Sequence, residues 1–331
     1  MSQSDQHRHI NDPVRPIRPS EHPGADGLMA AFANMSFQAR NLGQAAELLT
    51  TMAREEGLFK VLTLAGALIP AGMSRTIREM IEHRMIDVII STGANMSHDL
   101  VEGFGFHHFR NTDLETDLEL REAYINRIYD TYLAEDAFAG TEEKLLPHLK
   151  GYNGVTSADL TRYLGGIVER PCVLKTAAEY DVPIFIPALS DSELGIALNR
   201  YNHLNRGGHQ VRWDGLADNE SFADMMKHTD TQGIVICGGG VPRNWAQQVT
   251  PLLEYLNLGA GEEFERSLPG YKYGIQITTD VPDYGGMSGC TFSESISWGK
   301  YDVNARYVRV SCDTTIALPL IVAAAIERTA K

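Results

Sequence analysis

Three residues near the carboxyl-terminal end of the chain have side chains suited to amine chemistry. The segment ESISWGK places Glu294, Trp298 and Lys300 within seven residues, shortly before the apolar segment TTIALPLIVAAAI. A lysine held partly out of water loses its proton more readily and becomes a nucleophile. Tryptophan offers a ring face to a cationic chain, and a carboxylate can hold an ammonium group or transfer a proton. From local sequence alone, core packing is favoured for Trp298 and a salt bridge for Glu294, and Lys300 could be a surface residue.

The composition is typical of an acidic globular protein. The 331 residues are 43% hydrophobic and carry a formal net charge of −14. This charge disfavours nucleic acid and suits a cationic ligand. No apolar run is long enough to span a bilayer and no secretory signal opens the chain, so we expect a cytoplasmic protein without a membrane partner. The cysteines form no CxxC pair, which favours reduced thiols over a zinc site.

Two regions differ in their patterning. Residues 1–25 are rich in proline and histidine and poor in apolar residues, which predicts a flexible N-terminal arm. From residue 26 to 331 we expect one large domain. It opens with helical spacing over residues 28–57 and continues with short apolar, β-branched runs alternating with amphipathic segments. This alternation predicts an α/β fold: a doubly wound, mostly parallel sheet with helices on both faces.

Small and polar residues follow the predicted strands. In open α/β sheets ligands bind beyond the carboxyl ends of the strands, so these residues are candidates for a binding site. Thr92, Gly93 and Ala94 follow one strand and Asp191 follows another. The three glycines 238–240 could line a phosphate or ribose, or could simply make a tight turn. Asp313 could cap the last helix or bind a ribose, and the cap is favoured locally.

A pair of histidines suggests metal binding at first sight. His107 and His108 lie near Asp113, but adjacent histidines rarely face the same way and no HExxH-type spacing is present. We therefore predict no metal site and expect these residues on a surface loop.

Several ordered motifs together resemble the deoxyhypusine synthase family, from SFQARNLGQA to the end of the chain. ESISWGK is similar to the family's EAVSWGK signature, whose lysine is the covalent catalytic residue. INRIYD, PIFIPALSDSELG, ICGGGV and VRVSCDTTIALPLIVA match further family segments in the same order. The resemblance implies a Rossmann-like fold and an NAD-dependent transfer of an aminobutyl unit from a polyamine such as spermidine through a lysine imine. It makes Lys300 the nucleophile, kept neutral by burial beside the nicotinamide, with Trp298 and Glu294 contacting the amine.

The same resemblance assigns further residues position by position. Thr92, Gly93 and Ala94 match the family's TAG cofactor turn, and Asp191 matches the aspartate of LTDGSLG, which contacts cofactor and substrate. The remaining residues implied to bind the dinucleotide are Gly238, Gly239, Gly240, Thr279, Ser288 and Asp313.

Departures from the family pattern fall on the amine-binding side. The family histidine four residues beyond the third glycine is Asn244 here, and an amide cannot titrate near neutral pH. Two carboxylates that hold the far ammonium of spermidine are replaced by Ile196 and Met287. The family's paired glutamates after the cofactor turn are Ser97 and His98. Candidates to compensate are Glu193, Asp280 and Asp283 for the charge, and His98 for the proton carrier.

The leading hypothesis is therefore an NAD-dependent transferase of a four-carbon amine unit. Its acceptor would be a protein lysine, as in hypusine formation, or a free amine such as putrescine or agmatine, as in homospermidine-type synthases. The alternatives are a binding protein for NAD or polyamine with reduced catalysis, and an ordinary dehydrogenase, which the missing GxGxxG motif disfavours. The resemblance also implies a homotetramer with active sites across subunit interfaces, and an arm that covers a neighbour's site.

Overall fold

The computed structural model describes residues 13–111, 115–259, 261, 263 and 268–330. Its largest sheet has six parallel strands, in the order β6-β2-β1-β7-β8-β9 once the strands are numbered along the chain. Counted within this sheet alone, the order is 3-2-1-4-5-6, the arrangement of doubly wound nucleotide-binding folds. The strands are β1 (Leu58–Leu64), β2 (Val88–Ser91), β3 (Phe109–Arg110), β4 (Ile125–Ile128), β5 (Thr131–Ala134), β6 (Ile184–Phe185), β7 (Thr231–Cys237), β8 (Tyr271–Ile277) and β9 (Tyr301–Val310).

Helices cover both faces of this sheet, as the sequence predicts. They are α1 (Gly24–Ala33), α2 (Phe37–Arg54), α3 (Ser74–Glu82), α4 (Gly93–Gly103), α5 (Asp117–Glu122), α6 (Glu135–Leu149), α7 (Ser157–Ile167), α8 (Val173–Glu179), α9 (Glu193–Leu204), α10 (Gly215–Lys227), α11 (Gly240–Gln247), α12 (Val249–Asn257), α13 (Phe292–Ser297) and α14 (Thr314–Thr329). Short 3₁₀ helices span Pro19–Glu21 and Pro282–Tyr284.

Alternate strand residues face two separate hydrophobic cores. In β1, Leu62 packs into one core and Val61 into the other. In β2, Ile89 and Ile90 divide in the same way. Because both faces are buried, these strands read as continuous apolar runs rather than alternating ones, which is why the pattern was recognisable in the sequence.

The first helical segment is two helices rather than one. The helical spacing predicted over residues 28–57 is divided between two helices: α1 ends at Ala33 and α2 begins at Phe37. The two helices cross closely at Gly43, where an added Cβ would lie 2.3 Å from the Ala33 nitrogen. The absence of a side chain at Gly43 therefore allows the backbones of the two helices to pack closely.

The N-terminal end of α1 is fixed by the last helix. The backbone N–H groups of Ala25 and Asp26 donate to the Glu327 carboxylate at 3.1 and 2.9 Å, and Arg328 forms an ion pair with Asp26 at 2.6 Å. Of the predicted arm, residues 1–12 lie outside the described residues, so its flexibility stays a prediction.

A small antiparallel sheet was not predicted. Strands β3, β5 and β4 pair in that order. These strands have only two to four residues, which is too few to show a clear apolar period, and both residues of β3 are exposed. No helix among the described residues is both long and apolar enough to cross a bilayer.

Candidate active site

Lys300 lies at the back of a cavity of about 350 Å³ between α11 and α13. The residue follows α13 at the start of β9 and is only 9% exposed. Its Nζ donates to the Asn244 Oδ1 at 2.9 Å. Burial lowers the pKa of the Lys300 amine, because the ammonium form loses hydration there. The lysine is thus partly dry and held in one position.

A buried arginine supports the cavity beside this lysine. Arg243 is 1% exposed and lines the same cavity. One of its Nη atoms donates to the carbonyls of Met287 and Cys290, both at 2.9 Å. These bonds tie the loop 285–290 to α11. The guanidinium charge also contributes, after burial, to lowering the pKa of Lys300.

Trp298 and Glu294 form the outer part of the cavity. The Lys300 Nζ lies 5.7 Å from the centroid of the Trp298 ring. Trp298 is 58% exposed, which excludes a core-packing role within this chain. Glu294 lies in the first turn of α13 and also lines the cavity, and within the described residues its carboxylate forms no ion pair. A ring face and a carboxylate are therefore both available to a cationic ligand.

The glycine turn opens a crevice at the carboxyl ends of the strands. Gly238 and Gly240 have φ angles of +78° and +58°, which favour glycine. An added Cβ at Gly239 would lie 2.4 Å from the Ser288 Cα. β1 and β7 are neighbours in the sheet, but the chain goes from β1 to β2 on one side and from β7 to β8 on the other. The glycine turn after β7 therefore lies at the topological switch point, where nucleotides bind in such folds.

A second group of predicted residues lies at the end of β2. The Thr92 hydroxyl donates to the Gly66 carbonyl at 2.7 Å and caps α4 by accepting from the Asn95 N–H. Gly93 packs so closely against Ser192 that a Cβ added at Gly93 would lie 2.5 Å from the Ser192 Cβ. This contact brings the exposed Asp191 beside the turn formed by Thr92, Gly93 and Ala94.

The last two predicted residues also lie at this edge of the sheet. Thr279 follows β8 and is exposed. Asp313 follows β9 and caps α14, accepting from the Thr315 N–H at 2.7 Å. The cap interpretation of Asp313 is confirmed. Neither residue lines the Lys300 cavity.

The positions that depart from the family pattern separate into two places. Met287 lines the Lys300 cavity, so that cavity has a thioether where the family has a carboxylate. Ile196 and Ser97 instead line a second cavity between α4, α6 and α9. Asp280 lies close to Gly286: a Cβ added at Gly286 would be 3.1 Å from the Asp280 Oδ2.

His98 is hydrogen-bonded in a chain of three side chains that ends at the partly exposed Glu102. Its Nδ1 lies 2.9 Å from the His108 Nε2, and the His108 Nδ1 lies 3.1 Å from the Glu102 Oε1. Burial, assisted by the neighbouring His108, lowers the pKa of His98 to about 4. His98 does not line the Lys300 cavity of its own chain. The surface-loop prediction is wrong for His108, whose side chain is 6% exposed, whereas His107 is exposed; Asp113 lies outside the described residues.

Sequence reasoning missed several residues of the Lys300 cavity. Arg243 and Gln247 are four residues apart on α11 and so share a helix face, which is a signal that could have been used. No local pattern links α11 to Lys300, because the two lie far apart in the sequence. The hydrogen bond between Asn244 and Lys300 spans 56 positions. Other lining residues not singled out are Gln248, Cys290 and Ser295.

The fold and this cavity define an α/β protein with a buried lysine beside a nucleotide-type crevice. The family model for deoxyhypusine synthase matches residues 27–325. The chain therefore belongs to the deoxyhypusine synthase family, and the resemblance of its motifs is confirmed.

Curated relatives cover nearly the whole chain. The "Probable deoxyhypusine synthase 2" of Archaeoglobus fulgidus is 38% identical over 88% of this chain and 94% of its own length. The "Probable deoxyhypusine synthase" of Methanosarcina thermophila is 37% identical over 97% of both chains. A "Deoxyhypusine synthase-like protein" of Chlorobaculum parvum is 33% identical over 94% of this chain and 89% of its own.

Solved structures show the same fold. A crystal structure from Entamoeba histolytica, assigned as a deoxyhypusine synthase, superposes with a TM-score of 0.63. It covers 95% of this chain and 97% of its own at 16% identity, so the likeness concerns the fold alone.

Proposed function

We propose that this protein is an NAD-dependent transferase that moves a four-carbon amine unit from a polyamine to an acceptor amine through an imine on Lys300. The observation that carries the proposal is the Lys300 amine, buried in a ligand-sized cavity and held by Asn244 at 2.9 Å. A protein that only binds its ligand has no need of a buried amine, whereas a nucleophile does.

Lys300 would act as the attacking amine. Its lone pair would attack the carbon of the donor's imine, and the bond from that carbon to the leaving amine would break as the leaving nitrogen takes up a proton. The four-carbon unit would remain on Lys300 as an imine. An acceptor amine would then attack the same carbon and release Lys300, so each transfer exchanges one amine for another at one carbon.

Asn244 and Arg243 would keep this amine ready to react. The Asn244 Oδ1 accepts a hydrogen from Nζ, which directs the nitrogen lone pair away from the amide. Arg243 adds a fixed positive charge that disfavours the ammonium form. Because Asn244 carries no titratable proton, it would position Lys300 rather than act as a general acid or base.

The outer residues would bind the amine chain. Trp298 would contact a cationic or imine-bearing chain through its ring face, a contact worth about 0.5–2 kcal/mol. Glu294 would hold the ammonium group or carry protons to and from the departing and arriving amines. Met287 makes one part of this cavity less anionic than the family pattern, which favours an amine with fewer charges than spermidine.

The crevice at the switch point fits a dinucleotide. Gly66 has a φ of +66° with no atom within 4 Å of an added Cβ, so the space beside β1 is open. The residues proposed to hold the cofactor are Thr92, Gly93, Ala94, Asp191, Gly238, Gly239, Gly240, Thr279, Ser288 and Asp313. When bound, NAD would accept a hydride from the amine-bearing carbon of the donor and return it to the product.

The acceptor and the assembly belong to the proposal as well. The acceptor is either a protein lysine or a free amine such as putrescine or agmatine. We expect a cytoplasmic homotetramer without nucleic-acid or membrane partners, consistent with the net charge of −14.

Product analysis tests this function. The purified protein is incubated with NAD and with spermidine, putrescine or agmatine, singly and in pairs, and the amines formed are identified by mass spectrometry. We expect a new amine that requires NAD and disappears in Lys300→Ala. Lys227→Ala removes an exposed lysine on α10 and serves as the matched control. NAD binding without amine exchange under any pairing would refute the transferase and favour a binding protein.

A further inference from the structure

The loop 285–290 is held by hydrogen bonds to its backbone carbonyl groups. The last four carbonyls of this loop each accept a hydrogen bond from a side chain. Arg243 on α11 donates to the first and the fourth of them, Gln276 on β8 to the second at 2.9 Å, and Arg309 on β9 to the third at 2.9 Å. Donors from three elements therefore fix a loop that forms part of the wall of the Lys300 cavity.

Gln276 differs from the two arginines because it also holds the glycine turn. Its Nε2 donates to the Gly238 carbonyl at 3.0 Å as well as to the Ser288 carbonyl at 2.9 Å. Carbonyl oxygens only accept, so the amide nitrogen rather than the amide oxygen must face them. The turn and the loop are also in direct contact, since a Cβ added at Gly239 would lie 2.4 Å from the Ser288 Cα. One buried amide group thus joins the glycine turn to the loop.

Stability alone does not account for a glutamine at this position. Gln276 is 0% exposed and lies between Ile275 and Ile277, which pack into a hydrophobic core. Its Oε1 has no hydrogen-bond partner among the described residues. An unsatisfied buried acceptor is costly, and an apolar side chain of similar length would avoid this cost. The two hydrogen bonds donated by Nε2 are therefore the feature that distinguishes glutamine from an apolar residue here.

We propose that Gln276 is a positioning residue that keeps the glycine turn and the loop 285–290 in a fixed relation. This inference rests on the proposed function, in which the turn holds the cofactor and the loop borders the Lys300 cavity. Reacting atoms must lie about 3–3.5 Å apart, and a displacement of about 1 Å can cost roughly a hundredfold in rate. Gln276 does not line the Lys300 cavity, so it acts through the backbone of Gly238 and Ser288.

Hydrogen exchange of the full chain without any ligand tests the contact itself. Gln276→Met keeps the length of the side chain and removes its donors, and exchange is followed by mass spectrometry in peptides that cover residues 238–240 and 285–290. We expect faster exchange in both segments. Gln232→Met is the matched control, because the Gln232 Nε2 also donates two hydrogen bonds, both to Thr229, at the opposite end of the strands. This control should leave both segments unchanged, and thermal unfolding verifies that both variants are folded.

The rate of hydride transfer tests the consequence of this contact. NADH formed in the first turnover is measured with NAD and, in separate samples, spermidine or putrescine. In Gln276→Met we expect a rate about tenfold lower at saturating amine, with the amine KM changed by less than about twofold, because the position of the reacting atoms changes and the amine contacts do not. Unchanged exchange in either segment, or an unchanged rate, would overturn the proposal. If the wild type forms no NADH, the proposed transferase fails, and the exchange data still decide whether Gln276 joins the turn to the loop.

Discussion

Replacing Asn244 with aspartate should make Lys300 much harder to deprotonate. The change preserves the side-chain shape but places a carboxylate at the 2.9 Å contact with Nζ. Two unit charges 4 Å apart interact by about 4 kcal/mol at an effective dielectric of about 20. Water reaches this cavity and the carboxylate spreads its charge over two oxygens, so we take about half, ~2 kcal/mol. At about 1.4 kcal/mol per pH unit, the pKa of Lys300 should rise by roughly 1.5 pH units.

The assay follows the neutral amine directly. Lys300 is reductively methylated across a range of pH, and its extent of modification is measured by peptide mass spectrometry. Since only the neutral amine reacts, a higher pKa moves the midpoint of reactivity to higher pH. Gln248→Glu adds the same charge elsewhere in the cavity and should cause a smaller shift. An unchanged midpoint in Asn244→Asp would refute the inferred contact and its role in setting the protonation state of Lys300.

Three further predictions follow from the same structure. Arg243→Met should raise the methylation midpoint of Lys300, because a neighbouring cation is lost. It should also reduce the free energy of unfolding by about 2–4 kcal/mol in denaturant titrations, because two partly buried carbonyls lose their hydrogen-bond donor. Arg243→Lys should restore part of both. Gly239→Ala should destabilise the protein by roughly 1–3 kcal/mol and weaken NAD binding in calorimetry, because the new Cβ meets the Ser288 backbone. As a control, Gly57→Ala has open space around it and should cost about 1 kcal/mol of stability and leave NAD binding unchanged. His98 is buried and neutral, so the unfolded chain takes up a proton at this residue that the folded chain does not. The free energy of unfolding should therefore fall by about 3 kcal/mol as the pH drops from about 6.5 to about 4. The slope of unfolding free energy against pH should flatten in His98→Gln, and an equal slope would contradict this.

The sheet and its ligand-binding edge could be predicted from sequence. The strands are buried on both faces, so each is a short apolar run, and the residues after each run lie at one edge because the strands are parallel. Thr92, Gly238 and Asp313 were recognised on this basis. The short strands β3 to β5 escaped prediction because each has only two to four residues, too few to show a clear apolar pattern.

The cavity around Lys300 required the structure. Its wall combines α11 with the loop and helix before β9, and this contact follows from the pairing of β7, β8 and β9 rather than from any local pattern. The role of Arg243 depends on its burial, which a charged residue in a polar sequence does not reveal. The His98 and His108 contact likewise joins α4 to a loop ten residues further along.

The most direct test of the account is to locate the four-carbon unit on the chain. The protein is incubated with NAD and, in separate samples, with spermidine or putrescine, treated with borohydride and digested, and the modified peptide is sequenced by mass spectrometry. We predict one adduct, an aminobutyl group on Lys300, that depends on NAD. An adduct on a different lysine, or none while NAD binds, would contradict the assignment of Lys300 as the covalent nucleophile.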